Sequence, residues 1–328
     1  MHLLDWVPRF AGLRVLVIGD VILDEYLIGR ATRMSREAPV PVLEFESRQL
    51  IPGGAANPAA NIAALGGEAV QVGVVGADNE ATLLRQVLQA QRIDTGGLVV
   101  DAARPTTVKT RVMAQMGLRF PQQVARLDKL SREPISPAVE RGLLGLIEAR
   151  LNGADAVLFS DYHGGMLTPS LIERVRERAG ETLLASDAQG EFDKYAGFGV
   201  VKCNADEARA YLRRDLRTGD DFAAAARELR RTLKLTVGMV ITRGAEGATL
   251  ATADDQAAHC PAPATTEVYD TVGAGDTAVA VLTLALACGA PPADAVMLAN
   301  FASGIVVRHV GNYSPTPDEL RAAIAAWR

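Results

Sequence analysis

The sequence predicts an α/β fold: a mostly parallel central sheet flanked by helices, with a small antiparallel β lid. Three observations carry that expectation. Along most of the 328 residues, short β-branched runs alternate with helical segments, and consecutive strand, helix, strand units imply parallel strands joined by right-handed crossovers. Alanine, glycine and valine are abundant while aromatic residues are only 5%, a balance suited to helices packed closely on a parallel sheet. Two stretches, 28–50 and 106–127, alternate polar and apolar residues with no helix between, as the strands of a small inserted sheet do. With 48% hydrophobic residues the chain can bury a large core, so disorder is excluded and one domain across 1–328 is expected.

In order, residues 14–18 form a β-branched strand that opens into Gly19-Asp20, and 56–65 an alanine-rich helix ended by Gly66-Gly67. Further strands are expected at 70–75, 156–160, 183–187 and 237–242, and helices at 80–91, 169–179, 205–212 and 222–233. The longest apolar stretch, 277–288, reads as a buried helix, far short of the ~20 residues that cross a bilayer. In sheets of this kind ligands bind beyond the carboxyl ends of the strands, which directs attention to the turns after them.

Lysine and arginine total 34 against 39 acidic residues, a formal net charge of −5. That balance lacks the footprint of a nucleic-acid or anionic-membrane binder, so a small-molecule partner is the default. Cys203, Cys260 and Cys288 are odd in number and form no CxxC pair, which fits a reduced cytoplasmic protein and offers no zinc-ligand spacing. Asp5 and Arg9 near the start argue against a secretory signal. The runs 209–217 and 227–231 interleave Arg with Asp and Glu at helical spacing, as solvated faces do. Of the four scattered histidines only His163, beside Asp161 and Tyr162, is placed for a site role.

The sharpest chemical signal is Asp270-Thr-Val-Gly-Ala-Gly-Asp276, directly before the apolar helix. Gly273 and Gly275 leave backbone N–H groups bare at a helix N-terminus, where the helix dipole favours a phosphoryl group. A carboxylate at Asp276 would repel such a group, unless its task is to take a proton from the hydroxyl that attacks it. Two other readings of these residues stand beside this one: a plain glycine turn with Asp276 capping the helix, and a loose dinucleotide fingerprint, Gly273-x-Gly275-x-x-Ala278. The fingerprint normally follows the first strand, whereas this one begins with about 55 residues left.

These residues resemble the C-terminal signature of the ribokinase-like (PfkB) carbohydrate kinases, and Gly53-Gly54-Ala-Ala-Asn57 with Asn61 resembles the N-terminal one. The two stand in the family's order, about 220 residues apart. More narrowly, Thr32-Arg33-Met-Ser35-Arg-Glu37-Ala-Pro-Val-Pro-Val42, Thr107-Val-Lys109-Thr-Arg111, Arg126-Leu-Asp128 and Ser160-Asp161-Tyr162 resemble the heptose 7-phosphate kinases. The nucleotidyltransferase domain of that subgroup's bifunctional members does not fit in the remaining chain.

The resemblance implies a ribokinase-like fold and a kinase using ATP and Mg2+ on a small sugar phosphate, acting as a homodimer through the lid. Gly273, Ala274 and Gly275 would form the anion hole and Asp276 the base, with Thr271 beside them. Asn204 and Glu207 resemble the family's Asn-x-x-Glu motif, in which the acid organises magnesium through water; their other reading is a helix cap. Thr242, Gly244, Thr271, Asn300 and Ser303 would border the nucleotide. Asp20, Asp24, Gly53, Gly54, Asn57 and Asp161 would line the sugar site, and Arg33, Lys109, Arg111 and Arg126 on the lid would hold the substrate's own phosphate. One departure bears on that phosphate: the subgroup's Ser-Asp-Tyr-x-Lys-Gly and Asp-Pro-Lys-Gly are here Ser160-Asp-Tyr-His-Gly164-Gly165 and Asp187-Ala-Gln189-Gly190, so two lysines are missing.

Overall fold

The computed structural model describes residues 2–115, 121–264 and 267–327. β1 (Arg14–Gly19) leads into two long strands, β2 (Val21–Met34) and β3 (Pro41–Gly54), before α1 (Ala56–Ala64). β4 (Glu68–Val75), α2 (Asn79–Ala90) and β5 (Asp94–Val100) precede a second strand pair, β6 (Val108–Gln115) and β7 (Gln122–Lys129). After these come α3 (Pro137–Leu151), β8 (Ala156–Asp161), α4 (Pro169–Arg178), β9 (Leu183–Ala188), β10 (Val200–Asn204), α5 (Ala205–Leu212) and α6 (Gly219–Thr232). The chain continues through β11 (Gly238–Thr242), β12 (Ala248–Thr252), β13 (Ala257–Cys260), α7 (Ala274–Ala287), α8 (Pro292–Val306) and α9 (Pro317–Ala326).

The large sheet runs β13-β12-β11-β10-β9-β8-β1-β4-β5. The seven strands from β11 to β5 pair in parallel, and only β12 and β13 are antiparallel. Strand chemistry explains the layering, because successive side chains leave opposite faces. Val15 and Val17 enter one core with Ala156 and Leu158, while Leu16 and Ile18 enter the other with Val157 and Phe159. The first core takes in α1, α7 and α8, and the second takes in α3, α4 and α6. Chain order reverses between β1 and β8, the switch point at which such sheets open a crevice beyond their carboxyl ends.

α7 is Ala, Val, Leu and Thr on every side after its first turn, with Asp276 to Ala285 all buried. A helix apolar all round belongs inside the protein, and this one lies between α1 and α8. Among the described residues no helix is long and apolar enough to cross a membrane.

The small sheet runs β3-β2-β6-β7. Its outer pairings, β2 with β3 and β6 with β7, are antiparallel, and β2 with β6 in the middle is parallel. Its strands reach further inward than 28–50 and 106–127, because β2 begins at Val21 and β3 ends at Gly54. The inner ends, Val21 to Leu23 and Pro52 to Gly54, are buried beside the large sheet, whereas Met34, Phe45 and Leu127 at the far part are exposed. Residues 116–120 of the expected lid lie outside the described residues.

Candidate active site

The turn before α7 is built so that only glycine fits at its head. Gly273 has φ +80°, and a Cβ there would stand 2.9 Å from Asn312 Oδ1 and 3.0 Å from Asn57 Nδ2. Asp270 braces the turn by accepting the N–H groups of Val272 (3.0 Å) and Gly311 (2.9 Å). Ser303 donates its hydroxyl to Ala274 O at 3.0 Å from α8. The first helical turn has N–H groups without intrahelical acceptors and carries the positive end of the dipole.

Asp276 lies in that turn, buried. Its Oδ2 accepts Asn57 Nδ2 at 2.8 Å and its Oδ1 accepts the Tyr162 hydroxyl at 2.7 Å. Burial pushes its pKa up to about 6 with help from Asp187, while Asn57, Tyr162 and Lys202 pull it down. A carboxylate with that pKa accepts protons more readily than an exposed one and is still ionised near neutral pH. Behind it runs a buried relay. The Thr277 hydroxyl donates to Asn61 Oδ1 (2.9 Å), and Asn61 Nδ2 donates to Asn57 Oδ1 (3.2 Å) and Asn57 O (2.9 Å). With its oxygen so engaged, the Asn57 amide presents its NH2 to Asp276.

A cation sits beside the glycine turn. Lys202, near the end of β10, donates to both oxygens of Asp187 on β9, at 2.8 and 2.9 Å. Both residues are buried. Burial works against the ammonium, but Asp187 outweighs it and holds the Lys202 pKa above its ordinary value. A Cβ on Gly275 would lie 3.1 Å from Lys202 Nζ, so the missing side chain leaves the ammonium facing the helix N-terminus.

Asn204 and Glu207 form a reciprocal capping box at the start of α5: Asn204 Oδ1 accepts Glu207 N (2.9 Å) and Glu207 Oε2 accepts Asn204 N (2.7 Å). Burial raises the Glu207 pKa, and its charge is felt by Lys202. Thr242 donates to Cys203 O at 3.2 Å. Gly244 takes φ +58° with open space where a Cβ would project. Thr271 is exposed. Asn300 is tied by its amide to Cys260 O (2.9 Å) and Pro261 O (3.2 Å), so it and Ser303 hold backbone in place here.

On the lid side a cavity of about 250 Å3 is lined by Asp20, Lys109, Arg126, Arg132, Tyr162 and Gln189, among others. Lys109 lies over the Tyr162 ring, 5.2 Å from its centre, and makes no ion pair among the described residues. Arg126 reaches the cavity with its guanidinium on Asp128 at 2.9 Å. A larger hollow of about 550 Å3, bordered by Glu148, Asn152, Arg178 and Thr182, lies at the amino ends of β8 and β9, away from α7.

Several expected contacts are arranged differently. Arg111 binds Asp24 at 2.5 Å and stacks over Tyr26; Asp24 also accepts Asn312 Nδ2 at 3.0 Å. The Arg111 charge is therefore paired inside the protein. Gly53 makes room for that carboxylate, since a Cβ there would stand 2.3 Å from Asp24 Oδ2, and Gly54, at φ +54°, passes close to Asp20 O. Asp20 gathers the N–H groups of Tyr162 (3.0 Å), Gly164 (2.9 Å) and Met166 (3.4 Å), so it organises that turn as well as walling the cavity. Asp161 is buried away from the cavity, accepting Tyr195 OH (2.7 Å), His163 N (2.9 Å) and Lys194 Nζ (3.4 Å). Arg33 is exposed on the far part of β2, about 30 Å along the strand from Asp24 at ~3.3 Å per residue.

Sequence reasoning assigned no role to Tyr162, Lys202, Asp187, Asn312 or Arg132. The readable signal was a charge at the carboxyl end of an apolar strand, as in Val200-Val-Lys202 and Leu183-Leu-Ala-Ser-Asp187. Asn312 and Arg132 lie in loops with no pattern to mark them.

Comparison with known proteins agrees with this geometry. The pfkB family carbohydrate kinase profile matches residues 13–120 and 172–319. The bifunctional protein HldE of Caulobacter sp. strain K31 is 41% identical over 319 residues, covering 96% of this chain and 63% of that protein. HldE of Trichlorobacter lovleyi is 37% identical over 320 residues, covering 97% of this chain and 64% of that protein. The chain thus spans less than two thirds of the length of these curated relatives. Two solved structures share the fold: phosphofructokinase-2 from Escherichia coli in complex with substrates and products (TM-score 0.76, 21% identity, 97% of this chain and 99% of that one); and Arabidopsis thaliana ribokinase complexed with ribose and ATP (TM-score 0.72, 16% identity, 95% and 99%). A glycine turn at a helix N-terminus, a buried carboxylate behind it and a cavity under a β lid are what a sugar kinase needs, and this chain belongs to the pfkB family of carbohydrate kinases.

Proposed function

We propose that this enzyme transfers the terminal phosphoryl group of ATP to the anomeric hydroxyl of heptose 7-phosphate, giving the 1,7-bisphosphate. The observation that carries the reading is Asp276, a buried carboxylate in the first turn of α7. Its neighbour Tyr162 also lines a cavity holding Lys109, Arg126 and Arg132. The base thus lies toward a pocket rich in cations, as a substrate with its own phosphate requires. The likeness of segments 32–42, 107–111 and 126–128 to heptose 7-phosphate kinases, and relatives named HldE, support the choice of sugar.

In this reading the sugar hydroxyl donates to Asp276, its oxygen attacks the terminal phosphorus, the bond to the ADP oxygen breaks, and the proton passes to Asp276 as ADP leaves. Little covalent chemistry falls to the protein, so positioning and charge neutralisation dominate. The N–H groups of Gly275 and Asp276 and the Lys202 ammonium would meet the charge on the transferring group without reorganising, while the Ala274 N–H is held by Thr271 O at 3.3 Å. Family membership implies ATP and, with it, Mg2+. The residues present fit both: the Gly244 turn is open, Gly275 leaves the helix N-terminus bare, and the Glu207 carboxylate stands within the field of Lys202. Glu207 would hold the magnesium through water, and the ion would neutralise phosphate charge.

The same reading makes the chain one kinase domain and a homodimer. Phe45 and Leu127, each 70% exposed, and Met34, 59% exposed, sit on a small sheet with open edges that a second copy would cover. Three free cysteines fit a cytoplasmic enzyme.

The test compares kcat/KM for heptose 7-phosphate, other sugar phosphates and unphosphorylated sugars, following the product by phosphorus NMR. The expected order puts heptose 7-phosphate first. A free sugar preferred tenfold or more would overturn phosphate recognition. Another sugar phosphate in first place would overturn heptose 7-phosphate as the substrate, and Gln189→Lys would then test whether the missing lysine sets that preference.

A further inference from the structure

Tyr162 joins two parts of the site that no other described side chain joins. Its hydroxyl ends on Asp276 Oδ1 at 2.7 Å, and its ring carries the Lys109 ammonium 5.2 Å from the ring centre. Its backbone N–H is held by Asp20 at 3.0 Å, in a turn where Gly164 is packed so closely that a Cβ would stand 2.6 Å from Asp20 Oδ1. The side chain is therefore anchored at its root, its face and its tip.

We propose that Tyr162 is a positioning residue for proton transfer: it clamps one oxygen of Asp276 while its ring seats Lys109, so that one rigid side chain registers the base against the substrate's phosphate. The proposal rests on Asp276 being the base. Asn57 holds Oδ2 and Tyr162 holds Oδ1, so the carboxylate plane is set before substrate arrives. Each oxygen keeps a second lone pair for the sugar hydroxyl. Tyr162 gives up no proton in the step. Burial and the carboxylates of Asp276, Asp187 and Asp24 hold its phenol well above the usual range, so it stays a donor. The charged and titratable groups facing Asp276 are Asp187 from β9, Lys202 from β10 and Tyr162 itself. Of these, Asp187 raises its pKa, and Lys202 and Tyr162 lower it.

The experiment is the pH profile of kcat/KM for Tyr162→Phe, which keeps the ring and loses the donor. A hydrogen bond to a charged acceptor stabilises the ion. Its loss should move the acid limb upward by roughly one pH unit, a tenfold change in the ionisation constant. Activity should recover toward wild type at high pH with KM for ATP unchanged. The substrates' own phosphate ionisations appear in both profiles, so the difference between the two proteins is read. Carbon-13 carboxyl NMR of the ligand-free proteins should show the same displacement. Tyr162→Leu should share the shifted limb and also raise KM for the sugar phosphate. If the Phe variant fails to fold, 3-fluorotyrosine, a stronger donor of nearly equal size, should move the limb down. An unmoved limb with Asp276→Asn inactive refutes the role of Tyr162 and leaves the base in place; Asp276→Asn active at every pH refutes the base itself.

Discussion

Lys202 and Asp187 offer the sharpest separation of folding from chemistry in this site. The ammonium donates to both carboxylate oxygens at 2.8 and 2.9 Å with both residues buried. Lys202→Met leaves Asp187 as an uncompensated buried charge, which costs about 3–5 kcal/mol. At roughly 2 °C per kcal/mol for a chain of this size, the melting temperature should fall by roughly 6–10 °C. The folded-state pKa of Lys202 is raised, so the pair's contribution is fully present at neutral pH and fades only as pH rises through that pKa. The double variant Asp187→Leu with Lys202→Met removes both charges, and such swaps are often neutral for stability. Melting should then return to within a few degrees of wild type. Activity should not return, because the cation beside Gly275 is still missing. The loss of one charged donor to a transferring group is on the order of 10²- to 10³-fold in turnover. Scanning calorimetry and a coupled ADP-release assay on the same samples read both quantities. A double variant turning over within threefold of wild type would show that Lys202 serves stability alone.

The remaining predictions concern the base and the lid. Asp276→Asn should lower turnover by on the order of 10²- to 10⁴-fold with ATP affinity, measured by calorimetric titration, nearly intact; turnover within threefold of wild type rejects the assignment. With its pKa near 6, Asp276 is protonated as pH falls through that value, so wild-type kcat/KM should drop there. The stability sign is opposite: a folded pKa above the unfolded 3.8 means its charge opposes folding increasingly from about pH 4 to 6 and fully above. Asp276→Asn should consequently melt no lower than wild type at pH 8. For the lid, sedimentation at micromolar concentration should show a dimer, and Phe45→Glu with Leu127→Glu should shift it to monomer; wild type sedimenting only as monomer overturns the assembly.

Where sequence and structure agree, a strong local pattern coincides with a tertiary demand. The run Val15 to Ile18 pairs on both sides with β4 and β8, which is why it is apolar without alternation. α7 shows the same effect at helical spacing. Elements that went unread carry conflicting local signals. α3 contains Gly142 and Gly145 with nothing near where a Cβ would project, so its helix signal was broken by glycines that packing does not require. β5 opens on Asp94-Thr-Gly-Gly and is bulged against β4, and β12 and β13 are only five and four residues long. The lid boundaries moved inward for a different reason: the buried ends of β2 and β3 are apolar or glycine, and only their exposed parts alternate.

The site divides along the same line. Residues whose role is set by backbone shape were legible, because glycines at 53, 54 and 273 are demanded by close approach or by positive φ. Charges were legible as a population and not as partners. Four lid cations looked equivalent in sequence, yet pairing separates them: Arg111 is neutralised by Asp24, Arg126 shares Asp128, Arg33 is remote, and Lys109 lies over the Tyr162 ring without a direct ion pair among the described residues, with Asp24 and Asp128 near enough to act on its charge. Pairing also gives the lost lysine at 164 a physical reading. A side chain at Gly164 would press into the Asp20 carboxylate at 2.6 Å, and that carboxylate is what draws the N–H groups of residues 162, 164 and 166 into one turn. A lysine there would offer Asp20 an ammonium in place of backbone and loosen the turn that aims Tyr162 at Asp276. On the proposed reading, glycine at 164 gives up one cation toward the substrate and keeps Tyr162 held on Asp276, which would leave phosphate recognition to Lys109, Arg126 and Arg132 in the same cavity.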